Sequence, residues 1–161
     1  MNQISSTRRR RGLFVALLGA ALVAALAGPA GSSSGVVVTS GAFHAFAAGE
    51  GMDISGQAQM VRTADGRTIV AIEVRGLNPE TTYGSHVHAA ACGVGNADGH
   101  YKFDPAGPPA PPNEIWPGPF TTNPAGIGNG FTIADGTAGP TAVSVVVHAP
   151  GGAKIACADL G

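Results

Sequence analysis

The sequence predicts an all-β domain, a sandwich or flattened barrel of short strands with one long Pro/Gly-rich loop. Two observations predict it. The 161 residues include 25 Gly and 12 Pro, and past the N-terminal segment no window keeps an apolar 3.6-residue period. Short alternating, β-branched stretches recur instead, separated by turn residues.

Residues 1–30 read as an export signal. Arg8 to Arg11 form a positive n-region, Leu13 to Ala27 is apolar, and small residues follow to Ala30. A span of about fifteen apolar residues is short against the roughly 20 of a transmembrane helix. The sequence therefore predicts an exported protein, periplasmic, cell-envelope or extracellular, with no stable membrane span after processing. An uncleaved anchor is the competing reading. Residues 31–49, rich in Gly, Ser and Ala, read as a flexible tether. Residues 50–161 then form the folded domain, a size suited to one core.

Strands are expected at 36–39, 56–62, 68–74, 83–88, 130–133, 142–148 and 154–158. Asp65-Gly66 marks a hairpin turn between the second and third, because this pair tolerates positive φ. Residues 99–129 carry eight of the Pro and read as a long ordered loop, with Ile115, Trp116 and Phe120 available for burial. Long loops of this kind are usually functional or linkers.

The formal net charge of −1 argues against nucleic acid or an anionic membrane as the main partner. Chemistry concentrates at the histidines. His86 and His88 stand two apart on an expected strand, so both project from one face. His100 follows in the loop, and His148 ends the run Val143-Ser-Val-Val-Val-His148. If they converge, an all-imidazole site suits copper, zinc or nickel, and copper stands highest in affinity. His44 reads as an ordinary surface or packing residue. Cys92 and Cys157 are the only cysteines. In an exported chain an even count favours a disulfide, with two thiolate metal ligands the alternative.

Gly84-Ser-His-Val-His88, Cys92, Gly99-His100, Gly128-Asn129, Val145-Val-Val-His-Ala149 and Lys154-Ile-Ala-Cys157 resemble, in order, the signatures of the copper/zinc superoxide dismutase family. The resemblance runs from about residue 50 onward and implies a Greek-key β-barrel. It also implies copper held by His86, His88, His100 and His148, and a Cys92–Cys157 disulfide. The departures are informative. No His lies between His100 and His148, and Gly126 stands where the family's zinc Asp falls, so zinc is expected to be absent. Two extra residues separate His100 from Asp104-Pro105, compared with the family's usual spacing. Only five residues separate His148 from Lys154, in place of a long charged guidance loop, and Lys154 stands where the family has an Arg. The pattern is similar to the copper-only branch.

The resemblance implies dismutation of superoxide to dioxygen and hydrogen peroxide, with His100 and Lys154 as catalytic residues. Without zinc, another group must orient the far nitrogen of His100. Glu114 and Asp104 are the candidate carboxylates, with Glu114 preferred because Ile115 and Trp116 can anchor its segment. The alternative is a non-catalytic copper carrier on the same fold. A Met-rich transfer segment would favour that, but the chain has only Met1, Met52 and Met60. The sequence leaves the oligomeric state open and shows no apolar surface patch.

Overall fold

The computed structural model describes residues 35–161. The expected signal segment lies outside the described residues. Nine strands follow in order: β1 (Val37–Ala42), β2 (His44–Ala45), β3 (Ser55–Arg62), β4 (Arg67–Arg75), β5 (Thr82–His88), β6 (Phe120–Thr121), β7 (Gly128–Asp135), β8 (Ser144–His148) and β9 (Lys154–Asp159). Among the described residues, helix is confined to two short turns, Ala47–Gly49 and Gly95–Ala97. The strands form a four-stranded sheet, β1-β3-β4-β7, and a five-stranded sheet, β2-β9-β8-β5-β6. Pairing is antiparallel throughout, and β4 joins β7 while β5 joins β8, so neighbours in space are distant in sequence. This is the Greek-key sandwich expected.

Period-two patterning builds the interior. In β4, Thr68, Val70, Ile72 and Val74 are buried while the residues between them are not. They pack with Met60, Tyr83, Val87, Val145 and Val147 from both sheets. Each such aliphatic burial stabilises by about 1.5–3 kcal/mol. The expected hairpin after β3 forms: Gly66 takes φ +86°, and Arg67 N–H donates to Thr63 Oγ1 at 2.9 Å.

Part of the expected tether is ordered strand. β1 pairs along its whole length with β3, and β2 pairs with β9. The glycines here serve close packing. A Cβ at Gly41 would lie 1.7 Å from the Asp159 carbonyl oxygen, and one at Gly49 would lie 2.3 Å from that of Ile155. Composition that looked flexible is a requirement for two backbones to touch.

β8 is buried at every position because it is central in its sheet and covered on both faces. Val145 and Val147 face the barrel interior, whereas Val146 packs with Cys92, Ala97 and Cys157 on the outer face. Gly84 of β5 lies opposite His148 of β8. Hence His86, His88 and His148 all project from the outer face of the five-stranded sheet, beneath the long loops.

Candidate metal centre

His86 and His88 come from β5, where alternation sends Tyr83, Ser85 and Val87 inward and the imidazoles outward. His100 joins them because its segment hydrogen-bonds along β5. Ala89 N–H donates to the Gly99 carbonyl at 3.0 Å, and Tyr101 N–H to the Val87 carbonyl at 2.9 Å. His148 arrives at the end of β8. One ring nitrogen from each of the four lies within 4.8 Å of the others, so the group can hold a metal ion. His44, on β2, is outside this cluster and makes an edge contact with Phe46.

Hydrogen bonds fix the tautomers. His88 Nδ1 is 3.0 Å from the Ala97 carbonyl oxygen, and His148 Nδ1 is 3.1 Å from that of Gly152. A carbonyl only accepts, so both Nδ1 atoms carry the proton. Burial, reinforced by the neighbouring rings, pushes His86 and His88 down to about 3. His148 is also lowered, chiefly by burial. These rings are neutral at pH 7, and the Nε2 atoms of His88 and His148 therefore present lone pairs to each other 3.4 Å apart. His86 Nδ1 is buried with no hydrogen-bond partner. Facing lone pairs and an orphaned acceptor suit a cation between the rings, and an all-nitrogen donor set suits a borderline transition metal.

Each orienting carbonyl is itself held. The turn between His148 and Lys154 closes tightly, with Ala149 N–H donating to the Ala153 carbonyl at 2.8 Å. Gly151 and Gly152 both take φ +93°, which a side chain would oppose. The short connection thus presents the Gly152 carbonyl to His148. Ala97 sits in a run of positive φ at Asn96 (56°), Ala97 (61°) and Asp98 (42°). Asn and Asp tolerate positive φ, whereas for Ala97 it costs roughly 1–2 kcal/mol. Lys154 holds that turn from outside: its Nζ donates to the Asn96 carbonyl at 2.8 Å and also to that of Asp98. The ammonium is near enough to help lower His88 and His148.

The loop after Cys92 is fastened at further points. Cys92 and Cys157 form a disulfide across 65 residues, so they are not thiolate ligands. Cys92 N–H donates to Asp159 Oδ1 at 2.7 Å, and Ser144 Oγ to the Ala90 carbonyl at 2.7 Å.

Glu114, rather than Asp104, is the carboxylate on His100. Its Oε2 accepts from His100 Nδ1 at 2.7 Å, and its side chain is 1% exposed. Asp104 instead caps its own turn, accepting from Ala106 N–H at 2.9 Å. The Glu114 oxygen also accepts from Trp116 Nε1 at 2.8 Å, and the indole lies 4.8 Å from the His86 ring. Sequence reasoning did not find the indole's contacts or the left-handed turn. Asn96 and Asp98 are types that tolerate positive φ, but Ala97 gives no such signal. His88 is fully buried and His148 nearly so, whereas His86 is partly buried and the His100 side chain is 29% exposed, so the cluster meets solvent on the side of His86 and His100.

A search of solved structures matches superoxide dismutase 5 of Candida albicans, in a mutant form. The TM-score is 0.54 at 17% identity, covering 76% of this chain and 90% of that one. The fold is superoxide dismutase-like. No family model matches the sequence, and no curated protein does. Among the described residues no helix is long and apolar enough to cross a membrane.

Proposed function

We propose that this protein is an exported, copper-dependent superoxide dismutase that works without zinc. The observation that carries the reading is the convergence of His86, His88, His100 and His148 as a four-imidazole cluster on a superoxide dismutase-like barrel. Copper is the first choice for such a donor set by its place in the affinity order. The disulfide supports an oxidising compartment.

Copper held by His86, His88, His100 and His148 would supply one-electron redox chemistry, by which two superoxide ions and two protons give dioxygen and hydrogen peroxide. The chain's residues prepare that chemistry. The Ala97 and Gly152 carbonyls orient His88 and His148 with Nε2 unprotonated. Glu114 takes the place of a second metal at His100: it holds the Nδ1 proton and leaves Nε2 as the basic nitrogen, where a proton is taken up and released toward peroxide. Lys154 places a cation beside the cluster and attracts the anionic substrate, although an ammonium lacks the planar fork of an arginine. Its two bonds to carbonyls fix where that charge sits.

Refolding the mature chain with copper alone to measure superoxide turnover, and with copper and zinc together to measure metal content, tests the reading. One tightly held copper with rapid turnover is the expected result. A stoichiometric tight zinc would refute the zinc-free assignment, and copper held without turnover would make the protein a carrier on the same fold.

A further inference from the structure

We propose that Trp116 is a positioning residue of this site, fixing the Glu114 carboxylate and, through it, the ring of His100. The inference rests on the reading of His100 as a metal ligand. One oxygen, Glu114 Oε2, accepts from both Trp116 Nε1 at 2.8 Å and His100 Nδ1 at 2.7 Å. The carboxylate is almost fully buried, so little water is at hand to replace a lost donor. A single carboxylate bonded to a ring nitrogen can still swing about its terminal torsion, which is broad. A second fixed donor on the same oxygen removes that freedom.

The same indole reaches a second member of the cluster, since its ring centroid is 4.8 Å from that of His86 and tilted by 57°. One side chain thus touches the carboxylate behind His100 and the ring of His86, which itself lies 4.1 Å from His100. The indole's position is tied to the strand that carries two of the histidines. Val87 N–H donates to the Ile115 carbonyl at 2.9 Å, and Gly118 N–H to the Ser85 carbonyl at 3.3 Å. Ile115 is buried in the barrel core, and a Cβ at Gly118 would lie 2.6 Å from the Ser85 nitrogen. The segment is therefore stitched to β5 on both sides of Trp116. A tryptophan that only fills space would have no need for its N–H to meet this oxygen.

Two variants separate the N–H from the shape. Trp116→Phe keeps an aromatic ring against His86. Because the chain has a single Trp, global replacement by benzothienylalanine keeps the bicyclic shape while removing the donor. The first readout is exchange of the His100 Nδ1–H with solvent, followed by proton NMR in the metal-free and copper(I) forms and assigned with His100→Gln. The second is superoxide turnover of the copper-loaded protein. In both variants we expect exchange at least 10-fold faster and turnover several-fold lower, with unfolding midpoints close to wild type for the benzothienyl form. Exchange and turnover equal to wild type in the benzothienyl form would overturn the proposal and leave Trp116 as packing. The metal-free measurement does not depend on dismutase activity, so failure of the proposed function and failure of this inference give different results.

Discussion

Acid should destabilise the metal-free protein well above the pH at which its carboxylates titrate. His86 and His88 are pushed down to about 3 from an ordinary value of 6.5, first by burial and then by the neighbouring imidazoles, which disfavour a further proton in the cluster. The unfolded chain therefore binds protons below pH 6.5 that the folded chain refuses, and stability falls as pH falls from about 6.5 toward 3. At pH 5.5 a ring that titrates normally when unfolded and stays neutral when folded costs about 1.4 kcal/mol, whatever its native value below that pH. Two rings give about 2.8 kcal/mol. Solvent reaching the half-buried His86 screens part of this, leaving about 2 kcal/mol. For a domain of this size that corresponds to roughly 8 °C in Tm. Urea unfolding of the metal-free protein at pH 7.5 and 5.5 measures it, with the m-value as a check on the two-state assumption. Asp65, whose carboxyl is lowered by its bonds to Thr63 and Arg67, titrates below this window and does not confuse the result. Equal stability at the two pH values would show that the rings protonate freely, and the account of His86 and His88 as neutral imidazoles would be wrong.

Glu114→Gln should keep the shape behind His100 but lose the charged acceptor, lowering copper affinity or turnover by about 10–100-fold; competition against a chelator and a superoxide assay would show it, and wild-type values for both would remove Glu114 from the site. Lys154→Ala should slow turnover and flatten its salt dependence, because attraction of an anion is screened over about 8 Å at physiological ionic strength. Lys154→Arg should preserve or raise the rate, and stopped-flow measurements across ionic strengths compare them. Reducing the Cys92–Cys157 disulfide should cost about 4 kcal/mol on the chain-entropy model, read from urea midpoints with and without reductant. Non-reducing mass spectrometry that finds two alkylatable thiols in the native protein would contradict the bridge.

A strand such as β4 was legible because one of its faces is buried, and the alternation of Val70, Ile72 and Val74 with less buried neighbours records that directly. The two-residue strands β2 and β6 were not, since a pair of residues has no period. The tether was placed too far into the chain for a related reason. Gly41 reads as flexible until Asp159 is seen against it, and that contact joins residues over a hundred positions apart. An apolar row across the four-stranded sheet was equally invisible: Val38, Val61, Ile69 and Ile133 align only through the registers of β1, β3, β4 and β7.

By itself the sequence determined which side chains carry the chemistry. Strand geometry puts His86 and His88 on one face whatever surrounds them, and the run ending in His148 names a third ring. Only the tertiary structure decided that His100 joins them, that Glu114 and not Asp104 stands behind it, and that Lys154 holds the turn that orients His88. Local pattern reports which face of a strand is buried. It carries no information about which carbonyl, carboxylate or indole a loop brings to that face, because those distances are set by packing between segments far apart in the chain.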